Sequence, residues 1–149
     1  MSAQPKIAGF TLIEVLVALV VLSLGMLGIA SLYTQALGAG RSTQFRGQAV
    51  NLLADMADRI RSNRDGQADY AGGAADGNCD AVDCTSAEMA AHDLFEWDQQ
   101  VTGLLPAGEW EINFDNGTNP PTYTLQVRWA EVGEADLLEA RIDIQVPPL

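Results

Sequence analysis

Residues 8–37 read AGFTLIEVLVALVVLSLGMLGIASLYTQAL, and that stretch decides the class of the protein. From Phe10 to Leu37, 20 of the 28 residues are apolar, and Glu14 is the only charge. A helix over Phe10–Tyr33, at about 1.5 Å per residue, is long enough to cross a hydrocarbon core of roughly 30 Å. Only a helix satisfies its own backbone in lipid, so the many Val and Ile residues do not argue for a strand here. The competing reading is a secretory signal peptide. Three features count against it. The apolar core is longer than an ordinary signal core, Glu14 lies inside it, and the helical pattern continues past where a signal peptidase would cut.

Glu14 is the informative residue. A carboxylate near the centre of a spanning helix costs roughly 2.5–3.5 kcal/mol on insertion scales, and less near the end. Two readings stand. Either it snorkels to the interface and does nothing, or it is kept because a partner neutralises it.

Charge is distributed unevenly along the 149 residues. There are 20 acidic against 8 basic side chains, a net charge of −12. That balance argues against a phosphate-binding surface, so no nucleic-acid partner is expected. Residues 41–64 hold five Arg (41, 46, 59, 61, 64) and two Asp, a local +3, whereas residues 65–149 hold 17 acids against Arg128 and Arg141, a local −15. A mildly basic stem joins an acidic head. One His and two Cys cannot build a Cys/His zinc site or an iron–sulfur cluster from this chain alone, so no metal and no cofactor is expected.

The segment Ala8-Gly9-Phe10-Thr11-Leu12-Ile13-Glu14-Val15, behind a short leader containing Lys6, resembles the prepilin-type signal of type IV pilins and type II secretion pseudopilins. The resemblance implies cleavage between Gly9 and Phe10 by a prepilin peptidase and N-methylation of Phe10. It also implies a role for Glu14 in subunit assembly, paired with the charged terminus of a neighbouring subunit so that each charge offsets the other's desolvation. A single-pass inner-membrane chain with a periplasmic head follows from it, later carried into the fibre. Orientation rests on the resemblance, because Lys6 on one side is nearly balanced by Arg41 and Arg46 on the other.

Beyond the membrane block, the paired glycines of Gly38-Ala39-Gly40 predict a bend. Ala49, Leu52, Leu53, Met56 and Ile60 then recur on one helical face, with Gln48, Asp55, Asp58 and Arg59 on the other. One helix over residues 10–64 would span roughly 80 Å. Ser62-Asn63-Arg64-Asp65-Gly66 reads as its end. Residues 65–84, DGQADYAGGAADGNCDAVDC, read as a loop. In the oxidising periplasm that the resemblance implies, Cys79 and Cys84 are expected to form a disulfide, contributing only about 2 kcal/mol because the loop is short. The alternative is a redox-active pair, disfavoured by the C-x₄-C spacing and acidic neighbours. Asp76, Asn78 and Asp80 match the first ligand positions of a calcium loop, but Ala81 and Ala87 stand where Gly and the bidentate Glu belong, so a solvated acidic loop is preferred.

Thr85-Ser86-Ala87-Glu88 is a capping box opening a second helix, with Ala90, Leu94, Trp97, Val101 and Leu104 on its apolar face and Gly103 and Pro106 at its end. His92 sits in it without a catalytic partner in view and reads as a surface or packing residue. Three alternating segments follow. Trp110, Ile112 and Phe114 define the first, Tyr123, Leu125, Val127 and Trp129 the second, and Ala140, Ile142, Ile144 and Val146 the third. Each predicts a half-buried antiparallel strand. Asn116-Gly117-Thr118 fits a glycosylation sequon, but a turn is the preferred use of Asn-Gly. The expected architecture is α+β, the type IV pilin fold: a leader (1–9), a transmembrane and fibre-core helix (10–37), an amphipathic stem helix (38–64) and a globular head (65–149). In it a long helix packs on a small antiparallel sheet, beside a disulfide loop and a short second helix.

A finer resemblance is carried by Leu16–Ser23, by Cys84-Thr85, by Ala91-His92-Asp93-Leu94-Phe95-Glu96-Trp97 and by Leu104-Leu105-Pro106-Ala107-Gly108, which are similar to PilV-type minor pilins. It departs mainly at 65–83 and 115–121. It implies a non-enzymatic subunit that helps initiate type IV pilus assembly, with twitching motility and cell adhesion as the outputs of such a pilus. The implied partners are other minor pilins, the major pilin, the prepilin peptidase, the inner-membrane assembly platform and a large tip adhesin. A type II secretion pseudopilin at the pseudopilus tip is the alternative. An enzyme held by an uncleaved anchor is the competing class, but no Ser/His/Asp, Cys/His or metal constellation can be assembled.

Overall fold

The stripe at positions 49, 52, 53, 56 and 60 buries as its spacing requires, and Ala57 joins it. These residues sit on α1 (Leu12–Ser62) in a computed structural model that describes residues 9–72, 79 and 83–147. A 3₁₀ segment (Arg64–Ala71), α2 (Ser86–Leu104), β1 (Glu109–Asp115), β2 (Thr122–Trp129) and β3 (Leu138–Gln145) follow. The chain divides into two compact units, Met1–Arg41 and Ser42–Leu149.

Gly38 and Gly40 do not interrupt α1. Each glycine costs a helix about 1 kcal/mol relative to alanine, but it keeps its N–H donor, so the ladder continues where proline would break it.

The second unit is α+β. The sheet is antiparallel in the order β1-β2-β3, with Ile112, Leu125 and Ile142 in register across it and Trp110, Val127 and Ala140 beside them. On β2 the alternation is complete: Tyr123, Leu125, Val127 and Trp129 are buried. They share one hydrophobic core with the α1 stripe and with Ala90, Leu94, Trp97 and Val101 of α2. Trp97 fills its centre. Its indole donates to the Leu52 carbonyl at 2.9 Å, and its ring lies 5.3 Å from that of Trp110. Burying an indole without a partner would forfeit that hydrogen bond, so the contact fixes how α2 meets α1.

Two expectations are corrected. Residues 64–71 are a 3₁₀ segment and not open loop, because Tyr70 is buried and anchors it. Gly66 permits the close approach: a Cβ there would lie 2.7 Å from the Ser86 carbonyl oxygen. The second correction concerns the end of α2. Leu104 is 47% exposed, whereas Leu105 is 2% exposed. Helix geometry stops at Leu104, and Leu105 is extended (φ −112°, ψ 133°), which turns the next side chain into the core. Leu105→Ala should therefore destabilise the head by about 2–4 kcal/mol, while Leu104→Ala should stay within about 0.5 kcal/mol of the native chain. Urea unfolding of the detergent-solubilised chain, followed by the fluorescence of its three Trp, all of them in the head, measures both.

Candidate functional site

Every residue from Gly9 to Arg41 is exposed, Phe10 at 84%. The helix is long and apolar enough to cross a membrane. Two of its hydroxyls are turned back onto the helix backbone. Ser23 Oγ donates to the Leu19 carbonyl, and Thr34 Oγ1 donates to the Ser31 carbonyl at 2.8 Å, so both are satisfied within the helix. Gly9 and Phe10 precede the helical turns. A Cβ on Gly9 would meet nothing, so this unit has no steric requirement for glycine there.

Glu14 occupies the first turn of α1. The Thr11 carbonyl accepts from Glu14 N at 3.1 Å and from Val15 N at 3.3 Å, and the Thr11 N–H faces Glu14 Oε2 at 3.5 Å. Thr11 is thus the N-cap, and Glu14 supplies the returning half of a capping box. The pattern Thr-x-x-Glu at 11–14 is a local signal for this cap, lying inside the prepilin-like motif. An anionic side chain is also favoured at a helix N-terminus.

Cys79 and Cys84 are joined by a disulfide, their Cα atoms 5.8 Å apart. The calcium candidates Asp76, Asn78 and Asp80 lie outside the described residues. Among the described residues, no three His, Cys, Asp or Glu side chains converge on a metal position.

Two family models match the chain. A prokaryotic N-terminal methylation motif covers residues 4–30, and the type IV pilin Tt1218 covers residues 31–95. Together the two matches run over residues 4–95 and support a pilin of the type IV superfamily. No curated protein and no solved structure matches it. The pilin family is structural rather than catalytic. The methylation motif falls on the exposed apolar helix, which fits a membrane-anchored pilin of a pilus or pseudopilus system.

The head holds a polar cluster that the sequence did not reveal. Asp93, 8% exposed, accepts from Arg59 Nη1 at 3.0 Å and from Tyr70 Oη at 2.6 Å. Asn63 Nδ2 donates to Tyr70 Oη at 3.2 Å and to the Ser86 carbonyl at 2.7 Å, and Arg59 Nε donates to Asp55 at 2.9 Å. One carboxylate thereby ties α1, the 3₁₀ segment and α2 together. Burial opposes the Arg59 charge, but the hydrogen bond to Asp93 and the charge of Asp55 outweigh it and raise its pKa. Burial, then the bond to Asp93, pushes the Tyr70 phenol well above its ordinary value. Burial alone pushes Tyr123 up to about 12. The capping box of α2 is complete, and the Thr85 backbone N–H and hydroxyl hold the Glu88 carboxyl below its usual range. The only sequence signal for the cluster was Asp93 on the apolar side of α2, one position before Leu94.

Two predictions follow from this geometry. Asp93→Ala removes the acceptor of the buried Tyr70 hydroxyl and of Arg59 Nη1, and should lower the unfolding free energy by about 3 kcal/mol. Urea denaturation by near-UV circular dichroism reads it. At high pH, the two buried tyrosines keep their protons in the folded chain after the unfolded chain has lost them. Their contribution is therefore complete below pH 10 and is lost as pH rises from there towards about 12. Thermal melting across that window should fall, and Tyr123→Phe should make the fall shallower.

Proposed function

We propose that the chain is a PilV-type minor pilin that helps initiate type IV pilus assembly. In this reading a prepilin peptidase removes the leader, residues 1–9, and methylates Phe10. Residues 10–37 lie first in the inner membrane and then in the fibre core. Residues 38–64 form the stem, and residues 65–149 the periplasmic head. The observation that carries it is the coincidence of the methylation motif with a helix exposed at every residue from Leu12 to Arg41. Apolar surface of that extent is stable only in lipid or against other apolar helices. The freedom around Gly9 supports a demand for glycine made by a processing enzyme rather than by the fold.

Glu14 takes the assembly role. In a lone subunit its carboxylate faces the Thr11 N–H, a weak contact at 3.5 Å. A neighbour's methylated amine offers a full opposite charge, and a charge-assisted bond is the stronger one. The partners in this reading are other minor pilins, the major pilin, the assembly platform and a tip adhesin.

Processing is testable on composition. Lys6 is the only lysine, so cutting after Gly9 leaves 140 residues with no lysine and a formal charge of 7 − 20 = −13. Intact mass and amine labelling should show one methylated terminus at Phe10 and no other aliphatic amine. A chain beginning at Met1, or one cut near Ala30, from cells with an active prepilin peptidase would sink the proposal. In cells, Glu14→Ala should lower incorporation into the initiating complex by about tenfold, equivalent to one charge-assisted hydrogen bond, while leaving the head folded. Quantitative blotting of sheared pili measures it.

A further inference from the structure

The turn between β1 and β2 carries a chemistry that neither folding nor assembly uses. Residues 115–118 read Asp-Asn-Gly-Thr, and Asn116 and Gly117 are both exposed. The Gly117 N–H donates to Asp115 Oδ1 at 2.8 Å. Thr118 Oγ1 donates to the Asp115 carbonyl at 3.3 Å and lies 2.9 Å from Thr122 Oγ1, so the turn is held on both sides of Asn116. Among the described residues the Asn116 side-chain amide has no hydrogen-bond partner, which leaves its Cγ free to swing towards Gly117.

We propose that Asn116 is a self-modifying site, deamidated through a cyclic imide with the Asp115 carboxylate as general base. Gly117 N attacks Asn116 Cγ. Its proton passes to Asp115 Oδ1 as the C–N bond forms, and the amide nitrogen takes up that proton and leaves as ammonia. Water then opens the ring at either carbonyl, leaving aspartate or isoaspartate at position 116. No oxidant, metal or enzyme enters. The 2.8 Å separation is within the reach required of a general base.

The site is selected from six asparagines. Asn51, Asn63, Asn78, Asn113 and Asn119 are followed by Leu, Arg, Cys, Phe and Pro, and only Asn116 precedes glycine. A side chain on the attacking residue crowds the ring closure, and a prolyl nitrogen has no proton to give up. The Asn63 amide is already held by Tyr70 and Ser86, and that of Asn113 by Glu111 at 2.9 Å. The product adds a carboxylate next to Asp115 at the end of the hairpin, so an old subunit differs from a new one by one charge on the head surface.

The test is incubation of the full chain in detergent at mildly alkaline pH, with peptide mapping that separates asparagine, aspartate and isoaspartate. Conversion at Asn116 should run ahead of every other asparagine. It should slow about a hundredfold in Asp115→Asn, the low end of what a general base contributes, and recover in Asp115→Glu. In urea, where the turn is absent, the native and Asp115→Asn rates should converge. Conversion at Asn116 no faster than at Asn113 would overturn the site. An equal or faster rate in Asp115→Asn, with no recovery in Asp115→Glu, would overturn the base, as would a rate difference that persists in urea.

Discussion

A three-stranded sheet with one apolar face must bury that face against a second layer. In this protein the missing surface comes from the stripe Ala49, Leu52, Leu53, Met56, Ala57 and Ile60 of α1, and the rest of the head depends on it. Together with α2, that stripe covers Tyr123, Leu125, Val127 and Trp129 of β2. A single helix therefore carries two apolar surfaces of different kinds. From Phe10 to Leu37 it is apolar nearly all round, the pattern of a helix surrounded by lipid or by other helices. From Ala49 to Ile60 it is apolar on one face only, the pattern of a helix lying on a core. The change in period along one continuous element separates the part that anchors from the part that folds.

Polar closure of that core is concentrated on few atoms. Trp97 reaches the Leu52 carbonyl, Tyr123 donates to the Gln67 carbonyl at 2.9 Å, and Asp93 gathers Arg59 and Tyr70. Each joins residues far apart in the chain, so each is made only after the elements have met. The outer face of the sheet behaves differently. Its contacts, such as Thr124 to Asp143 at 2.7 Å and Arg128 to Glu109 at 3.4 Å, are exposed and add little stability. A head with a local charge of −15 is kept soluble by those carboxylates rather than stabilised by them.

The same unevenness governs what a family resemblance can transfer. The motif over residues 4–30 and the pilin match over 31–95 cover the helix and the start of the head. The sheet and its turns lie beyond both matches, and the surface chemistry there, Asn116 included, belongs to this chain's own residues.

Where the signal was local and repeated, the amino-acid sequence by itself determined the structure. The apolar run from Phe10, the stripe at 49–60, the capping box at Thr85–Glu88 and the three alternating strands each follow from a period or a cap that a few neighbouring residues set. Tertiary structure alone decided the 3₁₀ turn around Tyr70, the exchange of Leu104 for Leu105 in the core, and the burial of Asp93 between Arg59 and Tyr70. Residues 64–71, RDGQADYA, carry no apolar period of their own, so they take their shape from the surface they cover. A side chain at a helix end is placed by the single dihedral at which the helix stops. A buried charge is tolerated only where its partners arrive from elsewhere in the chain, and in the sequence those partners stand 34 and 23 residues away.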